Sequence, residues 1–419
     1  MTSPRLSRRR FAGLCTFAVP ALLQAEESAP AAADLPLAVF DKEIETFMAE
    51  RNVPGAALAV VKDKRLVYAK GYGWADRDRK LAAKPDSLFR IASISKPLTA
   101  VAVMKLVEDG KLSLDSKAFE LLKLEPVFEK GAKSDARLQS ITVRQLLQHT
   151  AGWDRDARFD PMFRPGIIAK VTGTSAPAGP EAVIRYMLGR QLDFDPGTRY
   201  AYSNLGYCVL GRIIEKLTGS RYEDFVRKSV LTPCGIKHMT LGRTLDGQQA
   251  AKEVRYYDDA QEDSVFPDKP GKVPSPYGGF HLEAMDAHGA WIASAVDLAR
   301  VAAALHDPAA SPLLKAETIR EMFAAPPPPM ETKDKRYYGC GWSVRLAGPH
   351  GEMSTYHSGS LPGTSTLLVR RWDGLSWAVL FNQRSSDKTK PDGAIDAALH
   401  RAADAVSAWP GHDLFAQYK

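Results

Sequence analysis

Arg90-Ile91-Ala92-Ser93-Ile94-Ser95-Lys96-Pro97 is the stretch from which the 419-residue chain is read. Ser93 and Lys96 stand three residues apart, and a mostly apolar run follows from Leu98 to Val107 before Glu108-Asp109-Gly110. That pattern predicts a buried helix stopped by Gly110. Residues three apart on a helix share a face, so a serine hydroxyl and a lysine amine are aimed at one point. Pro97 is tolerated only near a helix start, which places Ser93 at the N-terminus, where free N–H groups favour developing negative charge. These are parts of a nucleophilic serine hydrolase. Ser-x-x-Lys also arises by chance in chains of this size, so partner groups elsewhere must decide.

Ahead of this stretch, residues 36–52 show helical spacing through Leu37, Phe40, Ile44, Phe47 and Met48, with Pro36 suited to the first turn. Ala56–Val61, a turn at Lys62–Lys64 and Arg65–Ala69 read as a hairpin. Beyond it, residues 98 to about 300 are mainly helical: Thr142–Gln145 fits a capping box, and Ala182–Leu188, Leu205–Leu217 and Tyr222–Val230 carry apolar periodicity. Two polar, Pro/Gly-rich stretches, 154–180 and 255–289, read as long loops that rim the site. A helix at Trp291–Leu305 and a rigid spacer at Pro326–Pro329 lead to strands at Tyr338–Val344, Ser354–Ser358, Ser365–Arg371 and Ser376–Asn382. Asp373-Gly374 turns between the last two, and an amphipathic helix, Ala394–Val406, closes the chain. The expected class is α+β, an α/β sandwich. Residues 36–97 and 290–408 supply an antiparallel sheet from both chain ends, flanked by helices. Residues 98–289 form a mainly helical lobe, with the site in the cleft between, and 36–408 is a single catalytic unit.

Composition is that of an ordinary globular chain, 45% hydrophobic and 25% charged. The formal charge of +7 falls to +3, 52 bases against 49 acids, once the four arginines of residues 1–25 are set aside. No basic helix with interleaved aromatics is present, so nucleic acid is not an expected partner. Arg5 and Arg8–Arg10 followed by the short apolar stretch Phe11–Ala25 read as an export signal. Ser7–Phe11 resembles a twin-arginine signal, with cleavage after Ala25 or within Ala31–Ala33. A mitochondrial presequence is the alternative. No other stretch has the length of a membrane span, so the mature protein is expected to be periplasmic or secreted. Cys208, Cys234 and Cys340 are too few and too scattered for a disulfide framework and read as buried thiols, with one pairing left open. The nine histidines lack metal-ligand spacing, so neither metal nor cofactor is expected.

Two further stretches hold candidate partners. Tyr202-Ser203-Asn204 lies on a loop entering a helix. A phenol becomes a useful base only where a cation lowers its pKa, and Lys96 is the expected cation. Asn204 reads either as the helix N-cap or as an amide that holds a substrate carbonyl. His357-Ser358-Gly359 ends a strand, where a glycine permits close approach of a ligand backbone. The N–H of Ser360, with that of Ser93, would form an oxyanion hole. His357 alone also reads as a satisfied structural group.

Ser-x-x-Lys, Tyr-x-Asn and His-Ser-Gly in this order resemble the serine β-lactamase and penicillin-binding protein superfamily. Leu146–Gly152, Pro196–Thr198, Tyr202–Tyr207 and Leu210–Glu215 resemble its class C-related branch. That branch holds class C β-lactamases, D-Ala-D-Ala carboxypeptidases, D-aminopeptidases, esterases and a mitochondrial β-lactamase-like protease. The likeness covers roughly residues 38–405. It implies that Ser93 is acylated and that Lys96 hydrogen-bonds it and lowers the pKa of Tyr202, which relays the proton. Asn204 then holds the substrate amide, His357, Ser358 and Gly359 flank the far side of the substrate, and Ser93 and Ser360 donate to the oxyanion. His149, in the family's Leu-Leu-x-His-Thr stretch, reads as structural. His357 departs from the lysine that usually opens the third motif. A mostly neutral imidazole suits a β-lactam carboxylate less well, which turns the expectation toward a peptidase or esterase acting on small-molecule or peptide substrates, cell-wall peptides among them. A class C-type β-lactamase and a non-catalytic peptidoglycan-binding or scaffolding protein are the alternatives. No Gly-x-Ser-x-Gly elbow, His-Glu-x-x-His or phosphate loop is present.

Overall fold

The computed structural model describes residues 37–329, 335–387 and 389–418. The export signal, Pro36 and the alternative cleavage sites lie outside the described residues. Thirteen strands are described: β1 Gly55–Lys62, β2 Arg65–Asp76, β3 Leu81–Ala82, β4 Phe89–Arg90, β5 Thr240–Leu241, β6 Gln261–Asp263, β7 Lys272–Pro274, β8 Trp291–Ala293, β9 Arg336–Tyr338, β10 Ser343–Leu346, β11 Met353–Leu361, β12 Thr364–Arg370 and β13 Leu375–Phe381. The α-helices are α1 Ala38–Arg51, α2 Ser95–Glu108, α3 Ala118–Leu122, α4 Val143–Leu147, α5 Pro165–Thr172, α6 Pro180–Leu188, α7 Asn204–Thr218, α8 Tyr222–Val226, α9 Ala295–Ala304, α10 Ala316–Met322 and α11 Ala394–Asp404. Eight strands form one sheet in the order β3-β2-β1-β13-β12-β11-β10-β9. Its middle joins the two ends of the chain, β1 running antiparallel to β13 with Leu58 opposite Val379. The fold is therefore the expected antiparallel sheet from both chain ends, flanked by helices.

Strand β1 is apolar without alternation because both of its faces are covered. Leu58 and Val60 pack with Phe40, Phe47, Trp377 and Leu399 under α1 and α11. Ala57, Ala59 and Val61 turn to the larger core, which holds α2, α7 and α9. Helix α2 is buried almost all round, as its apolar sequence predicts. A second, three-stranded sheet of order β4-β8-β5 lies beside the site.

Several local expectations are corrected. Trp291–Leu305 is not one helix: Trp291–Ala293 is strand β8, and Ser294 with Asp297 forms a capping box that starts α9. Tyr338–Val344 divides into β9 and β10 around Gly341, whose φ of +82° bends the chain. The stretch 154–180 contains α5 as well as loop, and 255–289 contains the β6–β7 hairpin. Strand β2 runs on to Asp76, past the expected end at Ala69. The three described cysteines are free thiols, Cys208 and Cys340 buried and Cys234 partly so.

Candidate active site

Ser93 sits in a 3-10 turn, Ala92–Ile94, that runs directly into α2. Hydrogen bonds to Ile91 fix this turn from two sides. The N–H of Ile91 donates to Trp291 O on β8 at 2.9 Å, and the Thr366 hydroxyl donates to Ile91 O at 3.0 Å. Ala92, just before Ser93, has a φ of +48°, a left-handed conformation that costs a non-glycine residue roughly 1–3 kcal/mol and recurs at functional turns. Nothing in the spacing of the motif shows that strain.

Lys96, in the first turn of α2, is fully buried. Its Nζ lies 3.0 Å from Ser93 Oγ, 2.7 Å from Asn204 Oδ1 and 3.1 Å from His288 O. Burial drives its pKa well below the ordinary lysine value; the Asp160 carboxylate opposes that, and Arg155 adds to it. Ser93, Lys96 and Asn204 therefore converge, but the electrostatics of Lys96 and Tyr202 differ from expectation. Burial raises the pKa of Tyr202, and what opposes the rise is its hydrogen bond with Ser93 and then the charge of Arg155, not Lys96. The Lys96 amine sits 4.7 Å from the Tyr202 ring centroid and the Arg155 guanidinium carbon 4.5 Å from it. Burial thus favours the neutral form of both groups, lowering the lysine and raising the phenol.

The third motif is corrected more sharply. His357 Nδ1 donates to Ser358 O at 2.7 Å, and Nε2 accepts from the Tyr338 hydroxyl at 2.9 Å. Burial, with the charge of Lys96 adding, pushes its pKa down to about 3. A neutral ring with both nitrogens engaged has nothing left to offer a substrate carboxylate. Gly359 does give close approach, but to the protein itself: a Cβ there would overlap Ile91 O and Thr366 Oγ1 and fall 3.1 Å from Ala92 Cβ. Strand β11 is interior in the sheet order, yet β10 pairs only with Met353–Tyr356. Its second half projects beyond β10 and lies against the Ser93 turn. Ser358 and Ser360 are exposed on it. Asn204 is not the cap of α7: Ser203 is, its Oγ accepting from Gly206 N. His149 is structural, as expected. It has a φ of +57°, its Nδ1 accepts from Ser203 N at 3.2 Å, and its ring packs 4.3 Å from that of Tyr202.

A cleft of about 270 Å³ opens over Ser93, lined by Asn204, Ser360, Leu361 and His288 together with Arg155, Phe163, Met285 and Arg384. Both long loops thus reach the site, Arg155 and Phe163 from the first and Met285 and His288 from the second. Arg155, Asp160, His288 and Arg384 were not legible as site residues, because each comes from a segment without periodicity. A larger cleft of about 660 Å³ runs along Pro326–Pro329 and α4, and no serine or lysine lines it. Among the described residues no His, Cys, Asp and Glu cluster could hold a metal ion, and no helix is long and apolar enough to cross a membrane.

A family model described as Beta-lactamase matches residues 40–402. Penicillin-binding protein 4* of Bacillus subtilis is 26% identical over 360 residues, which cover 85% of this chain and 74% of that protein. Protein flp of Staphylococcus aureus (strain N315) is 31% identical over 204 residues, 49% of this chain and 38% of that protein, so the match spans well under half of that relative. In structure, the octameric penicillin-binding protein homologue from Pyrococcus abyssi superposes with a TM-score of 0.66 at 26% identity, covering 86% of this chain and 76% of that one. A D-amino acid amidase from Ochrobactrum anthropi SV3, in complex with L-phenylalanine amide, superposes with a TM-score of 0.66 at 22% identity, covering 87% and 98%, and shares the fold.

Proposed function

The chain belongs to the Beta-lactamase family, and on that premise we propose that it is a serine hydrolase that forms an acyl-enzyme at Ser93 and cleaves amide, peptide or ester bonds. The observation that carries this reading is the buried Lys96 amine 3.0 Å from Ser93 Oγ. In its neutral form the amine gives its two hydrogens to Asn204 Oδ1 and His288 O, which leaves its lone pair facing Ser93. As Oγ attacks the substrate carbonyl carbon, its proton passes to Lys96 Nζ. The N–H groups of Ser93 and Ser360 receive the oxyanion. Tyr202, neutral and in contact with Ser93, relays the proton to the leaving nitrogen or oxygen as that bond breaks. Water then attacks the ester, its proton following the same route, and Ser93 leaves with a proton restored.

Arg155 and Arg384 are the cations that line the cleft, and Phe163, Met285 and Leu361 supply its apolar wall. Substrates with an anionic group beside an apolar one fit these walls, cell-wall peptides and β-lactams among them. Export to the periplasm, from the twin-arginine-like residues 7–11, is part of the same proposal; the N-terminal sequence of protein recovered from a periplasmic fraction tests it. The activity is tested by a turnover screen of nitrocefin, p-nitrophenyl esters, D-amino acid amides and D-Ala-D-Ala peptides, each compared with Ser93→Ala. Turnover that survives Ser93→Ala refutes the reading.

A further inference from the structure

Asp160 lies in the first part of loop 154–180, just before the turn Pro161–Phe163, and its two oxygens hold different partners. Oδ1 accepts from Met162 N at 3.1 Å and caps the turn Pro161–Phe163. Oδ2 accepts from Asn204 Nδ2 at 2.5 Å and lies 3.8 Å from Arg155. The Asn204 amide has two orientations of the same shape but opposite chemistry. With oxygen toward Lys96 it accepts a hydrogen from the amine. With nitrogen toward Lys96 it donates into the lone pair that Ser93 needs. A carboxylate can only accept, so the Oδ2 contact admits the first orientation alone.

We infer that Asp160 is a positioning residue that fixes the Asn204 amide so that its oxygen faces Lys96 and the amine lone pair is left for Ser93. This rests on the acyl-enzyme reading above. Asp160→Asn is the sharpest perturbation. Its Oδ1 keeps the cap on Met162, which turns its own NH2 toward Asn204, so Asn204 reverses and donates to Lys96. The reporter is phosphonylation by a fluorophosphonate: Ser93 Oγ bonds to phosphorus, fluoride leaves, and the Ser93 proton passes to Lys96. Asp160→Asn is expected to lower the saturating labelling rate about 10²-fold, the scale of lost base assistance, with the half-saturating concentration unchanged. Asp160→Ser, which can cap Met162 but is too short to reach Asn204, should slow labelling in the same way. In an Asn204→Ala background, Asp160→Asn should add no further loss, because residues acting through one group are not additive. A wild-type rate in Asp160→Asn, or independent, multiplying losses in the double variant, overturns the assignment while wild-type labelling at Ser93 still stands. Absence of a Ser93 adduct in the wild type overturns the acyl-enzyme reading and this inference with it.

Discussion

Gly359→Ala tests how the sheet holds the Ser93 turn. The methyl would overlap Ile91 O and Thr366 Oγ1 and press on Ala92 Cβ. Carbon reaches its optimal contact only near ~3.5 Å, so β11 and the Ser93 turn must part by about 1 Å. The Thr366–Ile91 hydrogen bond spans the same gap and is strained or lost. Overpacking of this kind costs ~1–3 kcal/mol of stability, and a displacement of about 1 Å at a reacting group costs on the order of 10²-fold in rate, or ~2.7 kcal/mol at ~1.36 per decade. The assay pairs fluorophosphonate labelling rate with thermal melting. Gly393→Ala is the control, since Gly393 has a helical φ of −61° and a Cβ there meets nothing within 4 Å; it should change neither readout adversely. If Gly359→Ala labels and melts like the wild type, the close approach of β11 does not set the position of Ser93.

Lys96→Met should slow acylation by ~10²–10⁴-fold; labelling within threefold of the wild type would contradict the base assignment. The labelling rate should rise with pH through the pKa of Lys96, because only the neutral amine accepts a proton. That rise should be centred well below the ordinary lysine value of ~10.4, and a rise centred there would show a solvated amine. His357 has a folded pKa of about 3 against ~6.5 unfolded. The unfolded chain therefore binds the proton first, and the stability held above ~6.5 falls as pH drops toward 3. His357→Gln should flatten that dependence in urea titrations, and an unchanged slope would refute it. Arg155→Gln with Arg384→Gln should lower kcat/KM for anionic substrates much more than for neutral p-nitrophenyl esters; equal losses would remove the anion reading.

The sheet and the central helix were legible because they rest on apolar runs. Ala56–Val61, Ser376–Asn382 and Leu98–Val107 are long enough for hydrophobic burial to dictate their place. Trp291–Leu305 misled because Trp291-Ile292-Ala293 is apolar in either state, and pairing with two short strands decides the matter. The meeting of Ser93 and Lys96 followed from their spacing, and that of Tyr202 and Asn204 with them from the family resemblance that the three motifs carry together. Their charges did not, since burial depends on what surrounds a group rather than on its neighbours in sequence. That is why the Lys96 pKa is held well below the ordinary lysine value and why both nitrogens of His357 are engaged, by Tyr338 and by Ser358 O. Arg155 and Asp160 were hidden in a polar loop, where no period marks which side chain turns inward.

The proposed acyl-enzyme requires a covalent bond at Ser93, and mass mapping of the fluorophosphonate-treated protein measures it directly. The peptide that begins at Ile91 contains two serines, so fragment ions must separate Ser93 from Ser95. Ser95 is buried, and its Oγ accepts from Trp291 N at 3.3 Å. A stoichiometric adduct on Ser93 that is lost in Ser93→Ala is the expected result. An unmodified Ser93, or an adduct on any other residue with Ser93→Ala still fully active, would contradict it.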